Sequence, residues 1–231
     1  MSRPIVIAAH GTRSDEGQRT TATVARALAE ATGAAVTIGW IDVLEPGLDE
    51  VVAGLDEPVI VPWLVGGGFH LQVDVARAAA AHPAATVLAP VGDSAGLIEA
   101  LAERAVERLV GSSSDDRTIA LLWAGSRMPV AQQRVAAIAE RLSERLGRVV
   151  EPVALAAAEV SAAERLAQLS SAGTDGGTDP VAVGLLLAPG YFHDLARAVA
   201  DVTDPIGAHP ALVAAVAEQY RAEQYRAELS R

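Results

Sequence analysis

Short apolar segments alternate with longer amphipathic segments from one end of the chain to the other. Apolar runs of about four to eight residues are typical of buried strands, and apolar residues spaced three and four apart are typical of helices. The predicted strands are 4–9, 35–41, 58–64, 86–89, 117–123, 149–155, 181–187 and 202–203. The predicted helices are 15–32, 46–54, 72–81, 94–110, 129–146, 159–170, 192–200 and 210–229. Strands that alternate with helices indicate βαβ units and a mainly parallel sheet.

The second half of the chain repeats three sequence blocks of the first half in the same order. The matched blocks are IVIAAHGTR (5–13) with IALLWAGSR (119–127), VIVPWLVGGGFH (59–70) with VAVGLLLAPGYFH (181–193), and APVGDSAGLIEAL (89–101) with DPIGAHPALVAAV (204–216). A general likeness of βαβ units explains the shared periodicity, but not Gly-Thr/Ser-Arg and Phe-His at equivalent places. We therefore predict a duplicated α/β protein with an N-terminal half at 1–111, a linker at 112–117 and a degenerate C-terminal half at 118–231.

The composition excludes several classes of protein. The 231 residues carry a formal net charge of −11 and are 3% aromatic, so neither a basic surface nor stacking rings favour nucleic-acid binding. No cysteine is present, which excludes disulfides, thiolate metal sites and iron–sulfur clusters. The first strand begins soon after Met1, and no apolar run is long enough to cross a membrane. We expect a soluble cytoplasmic protein that binds neither nucleic acid nor a membrane.

Two histidines stand where predicted strands end. His10 ends the first strand, and His70 follows the third strand after a turn formed by Gly66, Gly67 and Gly68. Ligands of open parallel sheets bind outside the carboxyl ends of the strands, and adjacent strands lie about 4.8 Å apart. Both imidazoles are therefore expected at one ligand-binding edge, where the glycines allow the backbone to approach a bulky ligand. The alternative is that each histidine caps a helix or hydrogen-bonds a turn.

Phosphate-binding and metalloprotease motifs are absent. The segment HGTRSDEG (10–17) lacks the Gly-x-x-x-x-Gly-Lys-Ser/Thr and Gly-x-Gly-x-x-Gly spacings of nucleotide-binding loops, and no His-Glu-x-x-His occurs. These standard catalytic patterns are thus absent, and we expect no organic cofactor.

Four segments carry a resemblance to a known family. They are AHGTR (9–13), IDVLEPGLDEVV (41–52), VPWLVGGGFHLQVDV (61–75) and APVGDSAGLIEAL (89–101). Together they resemble the sirohydrochlorin chelatases, which are class II chelatases that insert cobalt or ferrous iron into sirohydrochlorin for cobalamin or sirohaem synthesis. The resemblance implies a lyase built from two flavodoxin-like halves, each a mainly parallel sheet flanked by helices, that face a central cleft.

The resemblance also implies the residues of the site. The two family histidines that hold the metal fall on His10 and His70. A family glutamate falls on Asp42, whose side chain is one methylene shorter, and Glu45 is a substitute candidate for that role.

The second half departs from the family pattern at its first histidine position. Ala124 stands there, and alanine cannot bind a metal, so we expect one working site, in the N-terminal half. His193 keeps the second position without a partner, and a role in facing the cleft and a role in packing both stay open.

The chemistry of metal insertion fits this set of residues. One divalent cation replaces two pyrrole N–H protons, and two neutral imidazoles leave positions open for water and for the incoming ring nitrogens. A histidine or Asp42 would accept a pyrrole proton. Arg13, Arg127 and the backbone amides of 66–68 are candidate ligands for the carboxylates of the substrate. The alternative for the two arginines is a solvated position at the start of a helix.

The sequence thus predicts a sirohydrochlorin cobaltochelatase or ferrochelatase with Co²⁺ or Fe²⁺ as a substrate. A non-catalytic carrier of metal or tetrapyrrole and a degenerate structural paralogue are the alternatives. Two histidines do not distinguish cobalt from iron or nickel, because all three ions accept imidazole. We expect a monomer with pseudo-twofold halves, with a dimer as the alternative.

Overall fold

The computed structural model describes residues 2–65, 70–109, 117–172 and 179–229. These residues form two compact α/β units. Unit 1 consists of the described residues up to Leu97 together with those from Gly207 onward, and unit 2 consists of those in Ile98–Ile206. Each unit holds one parallel sheet, which confirms the predicted pair of parallel-sheet α/β halves.

The elements of unit 1 follow the predicted alternation. Its strands are β1 (Ile5–Ala9), β2 (Val36–Trp40), β3 (Val59–Trp63) and β4 (Thr86–Val87). Its helices are α1 (Asp15–Thr32), α2 (Leu48–Ala53), α3 (Ala76–Ala81), the first residues of α4 (Ala95–Leu109) and the C-terminal α8 (Pro210–Leu229). A π-helical turn at His70–Val75 leads into α3, and a 3-10 turn at Val91–Asp93 precedes α4.

Unit 2 repeats the arrangement with fewer strands among the described residues. Its strands are β5 (Ile119–Trp123), β6 (Val150–Ala154) and β7 (Val181–Gly184). Its helices are the remainder of α4, α5 (Pro129–Leu146), α6 (Ala162–Ala172) and α7 (Tyr191–Val199).

The strand order places the first strand of each unit inside its sheet. The order is β2-β1-β3-β4 in unit 1 and β6-β5-β7 in unit 2. The pairing register is equivalent, since Ile5 aligns with Val36 in unit 1 and Ile119 aligns with Val150 in unit 2. The loops after β1 and β5 therefore leave the two sheets at corresponding places.

The sheet of unit 1 is covered on both faces, which explains why its inner strands β1 and β3 are buried along their whole length. Right-handed crossovers put the helix between β1 and β2 on the face opposite to the helix between β2 and β3. One face packs Val6 and Ile60 against α2 and α3, and Ile5 and Ile7 point to the other face. All four of these side chains are fully buried.

The C-terminal helix α8 packs in unit 1, although it belongs to the second sequence repeat. It lies against α1 and buries residues along its first three turns, and the hydroxyl of Tyr220 donates to the carbonyl of Arg3 at 2.7 Å. Arg221 donates to the carbonyl of Ala31 at 2.7 Å.

Most of α4 belongs to unit 2, although it lies in the first repeat. There Arg108 pairs with Asp201 at 2.5 Å, and Glu99 pairs with Arg145 at 2.7 Å. The compact units consequently differ from the predicted halves, because each repeat ends in a helix that belongs to the other unit. The predicted linker at 112–117 lies, except for its last residue, outside the described residues, so the division of the repeats there remains a prediction.

The predicted strand at 202–203 does not form. The backbone N–H of Thr203 donates to Ala182, but the backbone N–H of Gly184 donates to the hydroxyl of Thr203 instead of a strand carbonyl. A side chain thus replaces one rung of the ladder. None of the helices in the described part of the chain is long and apolar enough to cross a membrane.

Candidate active site

His10 lies immediately after the central strand of unit 1. β1 ends at Ala9, which aligns with Trp40 of β2 on one side and with Trp63 of β3 on the other. This is the carboxyl edge of a parallel sheet, where open α/β folds bind ligands. The side chain of His10 is 52% exposed, so a ligand can reach it from solvent.

Asp42 holds the imidazole of His10. The ladder between β1 and β2 continues for one residue, since the N–H of Ile41 donates to the carbonyl of Ala9 at 2.9 Å. This register brings Asp42 beside His10, and its Oδ1 lies 2.7 Å from Nδ1 of the imidazole. The same oxygen accepts the backbone N–H of Gly11 at 3.1 Å, so the carboxylate is fixed by two contacts.

A carboxylate on Nδ1 selects one form of the neutral imidazole. The proton is placed on Nδ1, where it is donated to Asp42, and the lone pair is left on Nε2. Histidines that bind metals usually carry such an orienting carboxylate or carbonyl. The arrangement at His10 is therefore suited to a metal ligand, and the contact is made by Asp42 and not by the substitute candidate Glu45, which lies exposed further along the loop.

Gly11 allows the strand end and the Asp42 loop to approach closely. A Cβ atom at Gly11 would lie 2.0 Å from the carbonyl oxygen of Asp42, which no side chain can accept. Unit 2 has the same close approach, since a Cβ at Gly125 would lie 1.9 Å from the carbonyl oxygen of Ala156. The glycine in the HGTR segment thus serves backbone packing.

Unit 2 retains this backbone without the pair of side chains. Ala124 follows β5 as His10 follows β1, which confirms the position expected from the sequence. Ala156 occupies the place of Asp42, and the sequence analysis missed this second replacement. The equal spacing of the two positions in the two repeats was the signal that would have found it.

The structure leaves the pairing of His10 with His70 as a prediction. Gly66, Gly67 and Gly68 lie outside the described residues, and the side chain of His70 is likewise not described. The backbone of His70 begins the π-helical turn, and β3, from which this segment departs, ends beside β1 at the same edge of the sheet. Among the described residues, no group of three or more His, Asp or Glu side chains is placed to hold a metal ion.

The two candidate arginines occupy equivalent exposed positions. Arg13 lies two residues before α1, and Arg127 lies two residues before α5. Their predicted role in binding substrate carboxylates stays a prediction.

His193 is a buried residue of unit 2. It lies on α7 with 7% of its surface exposed, and its Nε2 has no hydrogen-bond partner among the described residues. Of the two roles left open by the sequence, burial favours packing.

The segment GDSAG (92–96) matches the Gly-x-Ser-x-Gly sequence motif of a nucleophile elbow. Ser94 is nevertheless buried, has an extended backbone, and accepts the N–H of Gly96 at 3.0 Å at the start of α4. An elbow would present its hydroxyl at the end of a strand, so this serine is a helix cap.

The fold and the histidine–carboxylate pair define a class of protein: a duplicated parallel α/β protein with an oriented imidazole at the carboxyl edge of its first sheet. A model of the CbiX family matches the chain twice, over residues 4–108 and 118–223. The chain belongs to the CbiX family. No curated protein sequence matches it significantly.

Three solved structures show the same fold. SirB from Bacillus subtilis with Fe³⁺ is 22% identical over 99% of this chain and 98% of its own, with a TM-score of 0.76. CbiX, described as the terminal enzyme for biosynthesis of siroheme in denitrifying bacteria, is 20% identical over 95% of this chain and 99% of its own, with a TM-score of 0.70. DR2241 from Deinococcus radiodurans, a multi-domain protein with structural similarity to chelatases, is 22% identical over 95% of this chain and 54% of its own, with a TM-score of 0.70.

Proposed function

We propose that this chain inserts a divalent metal, cobalt or ferrous iron, into sirohydrochlorin. The observation that carries the proposal is the 2.7 Å contact between Nδ1 of His10 and Oδ1 of Asp42 at the carboxyl edge of the first sheet. Membership of the CbiX family supports it. Two similar structures add support, since one is described with Fe³⁺ and the other as an enzyme of siroheme biosynthesis.

In the proposed mechanism the metal is a substrate that the protein holds briefly. Nε2 of His10 is one ligand and His70 is the second, which leaves the remaining positions of the ion for water and for pyrrole nitrogens. Asp42 keeps the His10 ring in the binding orientation, because its Oδ1 is itself held by the N–H of Gly11. Two ligands release the ion more readily than a closed site of four would.

Insertion also requires the loss of two pyrrole protons. The candidates for the proton acceptor are a histidine released from the metal and Asp42. The side chains of His10 and Asp42 are 52% and 38% exposed, so either can pass a proton on to solvent. The exposed Arg13 and Arg127, with the amides of 66–68, are proposed to bind carboxylates of the substrate.

An anaerobic insertion assay that offers Co²⁺ and Fe²⁺ with sirohydrochlorin tests the proposal. We expect multiple turnovers for the native protein and a loss of at least 100-fold in His10→Ala and His70→Ala, because each removes a proposed metal ligand. Asp49→Ala removes an exposed carboxylate of unit 1 that pairs with Arg77, and it should leave activity unchanged.

Each alternative function has its own outcome in this assay. Stoichiometric product without turnover would indicate a carrier of metal or tetrapyrrole. Unchanged metal binding and insertion in both histidine variants would refute the site assignment. A native protein that neither binds the metal nor inserts it would indicate a structural paralogue. The proposal includes a cytoplasmic monomer, and sedimentation analysis tests the oligomeric state.

A further inference from the structure

Val43, directly after Asp42, has an unusual backbone. Its φ is 67°, and the N–H of Leu44 donates to the carbonyl of Asp42 at 2.7 Å, which closes a γ-turn with Val43 at its centre. This form of the γ-turn is rare and strained, and a positive φ is most unfavourable for a β-branched residue. Glycine would adopt the same turn without strain.

The side chain of Val43 contributes little to the core. The residue is 55% exposed, so most of its apolar surface faces solvent. It lies beside the candidate active site, because a Cβ at Gly11, the residue after His10, would be 2.9 Å from the Cβ of Val43. An exposed apolar group therefore stands at the rim of the His10–Asp42 pair.

A comparison with unit 2 shows which features at Val43 belong to the fold and which occur only beside the candidate active site. Ala157, which follows Ala156, has a φ of 56°, so the left-handed backbone recurs where the histidine and the carboxylate are both missing. The branched apolar side chain occurs only in the unit that carries the pair. The fold thus accounts for the turn, but it does not account for a valine in it.

We propose that the isopropyl group of Val43 contacts the apolar face of the tetrapyrrole substrate. This inference rests on the proposed function. The ring of such a substrate is flat and apolar, and its carboxylates lie at the periphery, so an apolar group beside the metal ligand suits the ring. The strained turn holds the Cβ of Val43 in a fixed direction, so little side-chain freedom is lost on binding.

Three variants test the proposal in the full-length protein. Val43→Gly removes the side chain and the strain together. Val43→Thr keeps the branched shape and the strain but replaces a methyl group by a hydroxyl. Ala157→Gly is the matched control, because it relieves the equivalent strain in unit 2, whose corresponding positions hold Ala124 and Ala156. The readouts are the Kd for metal-free sirohydrochlorin from its fluorescence, then KM and kcat for insertion, with Tm as a check of folding.

We expect Val43→Gly to raise Kd and KM about three- to tenfold, the range that corresponds to covering about half of a valine side chain. Its kcat should stay within about twofold, because contact with the ring face is made equally in the ground and transition states. Val43→Thr should show a smaller rise in Kd, and Ala157→Gly no change. Neither glycine variant should have a lower Tm by more than about 2 °C, because relief of strain offsets the added freedom of the unfolded chain.

If Val43→Gly binds sirohydrochlorin with the same Kd as the native protein, the inference is wrong. The proposed function still stands in that case if His10→Ala abolishes insertion. A lower kcat with native Kd also overturns the inference, since Val43 would then act by positioning Asp42. A native protein that fails to bind sirohydrochlorin refutes both the inference and the proposed function.

Discussion

Replacing Gly11 by alanine should disable the candidate active site through the backbone. The added Cβ would lie 2.0 Å from the carbonyl oxygen of Asp42, whereas ordinary contacts begin at 3.4 Å. The Asp42 loop must therefore move by more than about 1 Å. The hydrogen bonds from His10 and Gly11 to Oδ1 of Asp42 are 2.7 and 3.1 Å long, and a displacement of this size breaks at least one of them.

Gly125→Ala supplies a matched control in unit 2. Its Cβ would lie 1.9 Å from the carbonyl oxygen of Ala156, and its φ of 93° adds strain. Both variants should lose about 1–3 kcal/mol of unfolding free energy. Only Gly11→Ala should lose metal affinity and insertion rate, by about 10–100-fold, because it displaces the group that orients a metal ligand.

The assay combines calorimetric titration with Co²⁺, steady-state insertion and thermal unfolding of the three proteins. Activities are compared at a temperature well below the lowest Tm, so that loss of folded protein does not contribute. Gly11→Ala with native activity would refute the assigned role of the Asp42 loop. Equal losses of activity in the two variants would show that the effect is one of general stability.

Three further changes have definite expected results. Asp42→Asn keeps an oxygen that can accept both hydrogen bonds but loses the negative charge, so it should lower Co²⁺ affinity about tenfold. Asp42→Ala removes both hydrogen bonds and should lower Co²⁺ affinity by nearly 100-fold. Equal losses of affinity in the two variants, measured by titration, would contradict this ranking. Burial raises the pKa of Tyr220, so the neutral hydroxyl is favoured in the folded state; its contribution to stability is present below about pH 10 and should be lost as the pH rises through the folded pKa. Chemical unfolding between pH 8 and 11 checks this, and Tyr220→Phe should flatten the alkaline slope. Introducing both Ala124→His and Ala156→Asp should rebuild a histidine–carboxylate pair in unit 2, detectable as a second, weak Co²⁺ equivalent that either single change fails to give.

The sequence predicted the first three strands well because each is a short, largely apolar run, and β1 and β3 are buried along their whole length. β1, β2 and β3 lie within one or two residues of the predicted ranges 4–9, 35–41 and 58–64. The predicted strand at 202–203 was wrong, since a threonine hydroxyl takes over a backbone contact there and hydrophobicity alone does not reveal this.

The predicted helix at 72–81 is shorter than expected. Its first turn forms a π-helical turn at His70–Val75, and the α-helix begins at Ala76. Apolar spacing over so short a segment does not distinguish a single π-helical turn from an α-helical one.

The candidate site was predicted in part. The position of His10 at a strand end followed from the apolar run before it, whereas the role of Asp42 came from the family resemblance. Its contact with His10 depends on the register of β1 and β2, which no local pattern contains. The burial of His193 depends in the same way on how α7 packs.

The last helix of each sequence repeat packs in the compact unit formed mainly by the other repeat, and this limits where the polypeptide can be cut into parts that fold. Leu212, Val216 and Tyr220 of α8 are buried in unit 1, yet they are encoded more than a hundred positions after β1. A ribosome has to translate nearly the whole message before the first sheet can acquire its last helix. A gene split between the repeats would yield two incomplete fragments, each dependent on the other for a missing segment, which is a physical reason for the duplication to persist as one polypeptide.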